Sequence, residues 1–204
     1  MIRAVISDLG NVLLHFDHRL IIQRLAKHLP GTVWDHEQEQ QFWPLMHEFE
    51  CGSLDTPEFL ARTGRALCLP QSMSEEEFRM IWADIFWPNE EFLQLLSSIR
   101  ERVTLVMLSN TNPLHIEFAR KRFPEVFDLF SRTVFSYETG KSKPERAMFN
   151  EALLCAGCEA DEAIYFDDIA AYADAASALG MHGYQYVSIE GARDVLRMYD
   201  VLPL

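Results

Sequence analysis

The sequence predicts an α/β protein: a doubly wound, Rossmann-like parallel sheet with a block of helices inserted after its first strand. Three observations carry this. Short, nearly continuous apolar runs at 2–8, 103–108 and 163–166 read as strands buried on both faces, the habit of parallel sheets. From about residue 88 onward, strands alternate with helical segments. Between about 18 and 84, four helical segments follow one another with no strand between them.

Taken in order, "AVIS" leads the first strand to Asp8. In the helical block, "LIIQRLAKHL" repeats apolar residues at spacings of three and four, and "EQEQQFWPLMHEFE" does so less regularly. "SLDTPEFLARTGRALCL" opens with Thr56, Pro57 and Glu58, a cap and first turn, and "SMSEEEFRMIWADIF" opens with Ser74 and three glutamates that suit a positive helix end. The bulky residues Phe42, Trp43, Phe49, Trp82, Phe86 and Trp87 are expected mostly in the core of this bundle. Beyond it come a helix at "PNEEFLQLLSSIRE", a strand "VTLVML", a helix "PLHIEFARKRF", a short strand near "TVFS" and a helix "PERAMFNEALLCAG". A strand "AIYF", a helix "YADAASALG", a strand "GYQYV" and a last helix near "ARDVLRMYD" complete the alternation. The expected division is a core domain of 1–14 and 87–204 with a helical cap of 15–86.

Composition narrows the function. The 204 residues are 49% hydrophobic with 14 Phe, enough for a sizeable core without metal or disulfide support. A formal net charge of −13 argues against nucleic-acid and anionic-membrane partners, which require clustered Lys and Arg. The N-terminal apolar run meets an acid too early for a signal peptide, and no stretch reaches the roughly 18 apolar residues of a membrane span. The four cysteines are expected as reduced thiols of a cytoplasmic protein, and the lone C-x-x-C of Cys155 and Cys158 as a helix end.

Ligands of open α/β sheets bind beyond the carboxyl ends of the strands. There the sequence places Asp8 after the first strand, Ser109 and Asn110 after the second, "GKSKPE" with Lys141 and Lys143 after the third, and Asp167 and Asp168 after "AIYF". Singly, each has a structural reading as a turn, a cap or a helix start. Together at four successive strand ends they suit phosphoryl transfer. Converging carboxylates without His or Cys fit Mg²⁺, Ser109 and a lysine fit phosphate oxygens, and Asp8 can attack phosphorus. "GKS" at 140–142 is not a nucleotide-binding loop, because Phe135 stands where its first glycine is required.

The order of these motifs resembles the haloacid dehalogenase superfamily over essentially the whole chain. "SDLGNV" resembles its nucleophile motif, "LSNTN" its second, "GKSKPERAMF" its third and "YFDD" its acidic fourth; the 18–84 block resembles the helical cap of one subgroup. The texture is similar to small sugar-phosphate phosphatases and to the phosphatase-like domain of soluble epoxide hydrolases. The resemblance implies a Mg²⁺-dependent phosphatase acting on a small phosphorylated metabolite such as a sugar phosphate, through an aspartyl-phosphate on Asp8. It implies Ser109, Asn110 and Lys143 as phosphate ligands. It implies Asp8, the backbone carbonyl of Gly10, Asp168 and Asp167 around the metal, Asp167 directly or through water.

Two positions depart from the pattern. Gly10 replaces the aspartate that protonates the leaving group, and Tyr172 replaces an Asn or Asp that supports the acidic loop. His15, Asp17 and Glu50 are the candidate substitutes for the missing acid; alternatively, the substrate has a leaving oxygen that needs no proton. True 2-haloacid dehalogenases also lack this acid but work without metal and without the adjacent carboxylate pair, and a non-catalytic phosphate- or partner-binding member is the remaining alternative.

Overall fold

A computed structural model describes residues 1–28, 36–70 and 72–202. Strand β1 (Ala4–Ser7) is buried at every position and runs straight into Asp8. The chain then turns tightly, the N–H groups of Leu13 and Leu14 both returning to the Leu9 carbonyl, and enters β2 (Leu14–Phe16). Helices α1 (Arg19–Leu25), α2 (His36–Glu50), α3 (Thr56–Ala66) and α4 (Glu75–Ala83) follow, and β3 (Phe86–Pro88) returns antiparallel to β2. The alternating half comprises α5 (Glu90–Ile99), β4 (Thr104–Ser109), α6 (Pro113–Arg122), α7 (Pro124–Asp128), β5 (Arg132–Phe135) and α8 (Ser136–Thr139). It continues with α9 (Arg146–Ala156), a 3₁₀ turn at Ala160–Glu162, β6 (Ala163–Asp167), α10 (Ala170–Ala178), β7 (His182–Gln185) and α11 (Ile189–Met198).

The five long strands form one parallel sheet in the order β5-β4-β1-β6-β7, so the α/β expectation holds. Side-chain alternation divides its core in two. Val5, Leu105, Met107, Ile164 and Phe166 pack with Phe92 and Leu96 of α5 on one face. Ala4, Ile6, Val106, Leu108 and Tyr165 pack with Met148 and Phe149 of α9 on the other. Among the described residues no helix is long and apolar enough to cross a membrane.

The helical block has its own core. Trp82, fully buried, meets Phe42, Phe59 and Phe78 with ring centroids 5.1–5.8 Å apart, and Phe49 stacks on Phe59 at 4.0 Å. Truncating such a ring costs about 3–5 kcal/mol. Trp43 and Trp87, by contrast, are 53% and 47% exposed, so they are not core residues. The capping signals work as written, with one shift: Asp55, not Thr56, caps α3, accepting from the Glu58 N–H at 2.8 Å, while Ser74 caps α4. Each such cap contributes about 1 kcal/mol. Positions 29–35 and 71 of the expected block, including the end of "LIIQRLAKHL", lie outside the described residues.

Unforeseen is the ribbon β2–β3, inside which both expected cap limits, 15 and 86, fall. Its strands are three residues each, too short for periodicity to show. The seam between helices and sheet is tight at one point. Gly52, at φ +69°, follows α2, and a Cβ there would lie 2.1 Å from the Tyr137 carbonyl oxygen.

Candidate active site

Register alone brings the acids together. Ser7 is level with Met107 and Phe166, so the next residue, Asp8, stands beside Leu108 and Asp167 at the sheet's carboxyl edge. The Asp8 N–H is held by the Phe166 carbonyl at 2.9 Å. One carboxylate oxygen from each of Asp8, Asp167 and Asp168 lies within 4.8 Å of the others.

Lys143 is buried between two of them. Its Nζ donates to Asp8 Oδ1 and Asp167 Oδ2, both at 2.7 Å, and to the Leu108 carbonyl at 3.3 Å. Asn110 fixes the lysine's main chain: its Oδ1 accepts from the Lys143 N–H at 2.8 Å and its Nδ2 donates to the Lys143 carbonyl at 3.0 Å. The Asn110 side chain is therefore a clamp on Lys143. Ser109 ends β4, buried, with its hydroxyl on the Asn110 carbonyl at 3.4 Å.

Asp167 is the most heavily engaged acid. Besides Lys143 it accepts from the Tyr165 hydroxyl, and its Oδ1 accepts from the Ile169 N–H at 2.9 Å. Three donors leave it better suited to anchoring the lysine than to direct metal ligation. Asp168 is half-buried, and its carboxylate accepts from Asn11 Nδ2 at 3.1 Å. Asn11 has φ +53°, a left-handed turn that Asn tolerates better than most residues.

One ammonium among three carboxylates leaves the cluster short of positive charge. Burial raises the Asp8 pKa to about 6; Lys143 opposes that rise and Asp167 adds to it. Asp168 is also raised, first by burial, against the pull of Asn11. Burial works to lower the Lys143 pKa, but Asp8 and Asp167 together hold it above its usual value. The deficit, made of oxygen ligands alone, is the environment in which a hard divalent cation fits.

Two tyrosines complete the pocket and were not singled out for these contacts from sequence. The Tyr165 and Tyr172 ring centroids lie 5.9 and 5.2 Å from Lys143 Nζ, within cation–π range. Tyr165 sits two residues before Asp167 on the same strand face, which was the available signal. Tyr172, flagged as a departure, thus takes up a position over the lysine.

The candidate substitutes for the missing acid lie in β2, just after it, and at the end of α2. His15 sits opposite Trp87 across the ribbon, on the face away from Phe16. Asp17 is tied to Arg19 at 2.8–3.1 Å, which holds its pKa below the usual value. Glu50 ends α2, partly buried, without a hydrogen bond or ion pair among the described residues, and burial alone raises its pKa to about 7.

Known proteins share this arrangement of chain. A hydrolase family model, haloacid dehalogenase-like hydrolase, matches residues 2–180. A D-ribitol-5-phosphate phosphatase of Bacteroides thetaiotaomicron is 25% identical over 194 residues, spanning 91% of this chain and 92% of the relative. The crystal structure of a HAD-family enzyme from the same organism, in complex with magnesium and inorganic phosphate, superposes with a TM-score of 0.79 at 26% identity, covering 92% of this chain and 94% of the other. A HAD-like family hydrolase from Porphyromonas gingivalis superposes with a TM-score of 0.80 at 25% identity, covering 97% and 98%.

Proposed function

Because the chain belongs to the haloacid dehalogenase-like hydrolase family, we propose that it is a Mg²⁺-dependent phosphomonoester hydrolase whose nucleophile is Asp8. The observation that carries this reading is the under-compensated carboxylate cluster: Asp8, Asp167 and Asp168 share one lysine. Magnesium in the structure of a similar enzyme, and a similar protein named for phosphatase activity on a sugar-alcohol phosphate, support it. The substrate would be a small phosphorylated metabolite such as a sugar phosphate, covered by the helices of 15–86.

Asp8, Asp168 and the Gly10 carbonyl would hold the ion, with Asp167 acting through water or through Lys143. When bound, the ion neutralises phosphate charge and lets the substrate approach a buried anion. The chain's own groups do the rest. Lys143 and the Ser109 hydroxyl hold phosphate oxygens, and Asn110 keeps the lysine aimed. The oxygen of Asp8 not bonded to Lys143 attacks phosphorus, giving an aspartyl-phosphate that water then hydrolyses. A metal-independent dehalogenase would leave three carboxylates beside one ammonium in a buried site, an arrangement that burial penalises.

The test is phosphate release from a panel of sugar phosphates with Mg²⁺, with chelator, and with Asp8→Asn. Activity that needs the ion and disappears in Asp8→Asn is expected. Turnover that ignores chelator or survives Asp8→Asn overturns the mechanism, and halide release from a 2-haloacid without metal replaces it with dehalogenation.

A further inference from the structure

The vacancy left by the glycine at position 10 is filled. A Cβ built on Gly10 would lie 2.8 Å from Phe16 Cε1 and 3.7 Å from Asp8 Oδ2. Nonbonded carbons pack at about 3.5–4.0 Å, so the ring occupies the space a side chain would enter. The backbone does not demand glycine, since Gly10 is not among the residues with positive φ. The Phe16 ring is held by His18, with centroids 4.7 Å apart, and by Phe86 at 6.1 Å. Burial lowers the His18 pKa, against the pull of Asp17. The space beside the nucleophile that a side chain at position 10 would enter is therefore taken by the Phe16 ring.

Resting on the phosphatase reading, we propose that Phe16 determines the substrate class. The site serves phosphates whose leaving oxygen is weakly basic, such as anomeric sugar phosphates, and discriminates against phosphates of ordinary primary alcohols. The atoms balance without an acid. As Asp8 forms its bond to phosphorus, the P–O bond to the leaving group breaks and the leaving oxygen keeps the electron pair. That oxygen takes a proton from solvent water, generating hydroxide. Water or hydroxide then attacks the aspartyl-phosphate, releasing phosphate and restoring the Asp8 carboxylate. A primary alkoxide, more basic than an anomeric or phenolic oxygen, is a poor group to expel this way, which would separate this chain's substrate from a pentitol 5-phosphate.

Substituted phenyl phosphates, nearly constant in shape, read this directly, with benzyl phosphate as the primary-alcohol case. In the wild type kcat/KM is expected to fall at least ~10²-fold from the most to the least acidic leaving group, the scale of an absent general acid. The 1-phosphate of a hexose should exceed its 6-phosphate by a similar factor. Compared with Gly10→Asp alone, Gly10→Asp with Phe16→Ala should raise benzyl phosphate turnover at least ~10-fold and flatten the series. The wild-type series decides even if the double variant does not fold. A flat wild-type series overturns the proposal, and a flat series that steepens in Glu50→Gln overturns it by identifying the cap carboxyl as donor. If no phosphate ester is hydrolysed at all, the phosphatase reading fails instead.

Discussion

Lys143 Nζ lies 2.7 Å from Asp8 Oδ1 in a site where the lysine side chain is 2% and the aspartate side chain 9% exposed. The nucleophile candidate is thus held by its counter-ion before any substrate arrives. The lysine bonds one of its two oxygens, Oδ1. The same ammonium is shared with Asp167, so the two acids depend on one cation.

Removing that cation should be costly in stability as well as rate. Lys143→Met leaves buried carboxylates without their partner, and breaking a buried pair typically costs about 3–5 kcal/mol. Urea melts should show the loss more strongly at pH 8 than at pH 5.5, where protonation of Asp8, at about 6, relieves the repulsion. Equal losses at both pH values would show that packing alone is responsible.

Mg²⁺ should stabilise the folded chain by mass action. At a hundred times its dissociation constant the gain is about 2.7 kcal/mol, which for a chain of this size moves Tm by roughly 5–10 °C. Asp168→Asn should remove most of the shift, because the Asp168 carboxylate is half-buried and, among the described residues, bonds one side chain, Asn11, which leaves it the acid most available to an ion. A thermal melt with and without the ion measures this, and an undiminished shift in Asp168→Asn would place the ion elsewhere.

Glu50 should make the fold less stable as pH rises. Its folded pKa of about 7 exceeds the ordinary value of 4.5, so between these values the folded state holds a proton the unfolded state has released. Stability therefore falls as pH rises from 4.5 to 7 and stays low above. Glu50→Gln should be more stable than wild type at pH 8, by about 2 kcal/mol after allowing for partial exposure, and little changed at pH 4.5. Denaturant melts at the two pH values test the sign.

Gly52→Ala should loosen the seam between the helices and the sheet. The residue has φ +69°, and the added methyl would sit 2.1 Å from the Tyr137 carbonyl oxygen, a contact with backbone that cannot swing aside. A loss above ~1 kcal/mol is expected from the conformational penalty alone. KM should rise with it if the helices cover the substrate. An unchanged melt and KM would mean that the seam yields easily.

The acidic strand ends could be read from sequence because a buried apolar strand that stops at Asp8, and another that stops at Asp167, carries its meaning locally. Parallel pairing then does the rest: strands in register deliver their last residues to one edge. The alternation of strands and helices was legible for the same local reason, since periodicities of 2 and 3.6 are properties of short windows. What the windows could not contain was decided by contacts across the chain. Asn110 clamps Lys143 from 33 residues away, Asn11 reaches Asp168 from 157 residues away, and the three-residue strands β2 and β3 exist only because they pair with each other. Gly10 shows the division most sharply. Its lack of a side chain is written in the sequence, whereas the phenyl ring of Phe16 in that space is a consequence of the ribbon's fold, because side-chain volume excludes its neighbours only once the chain has brought them together.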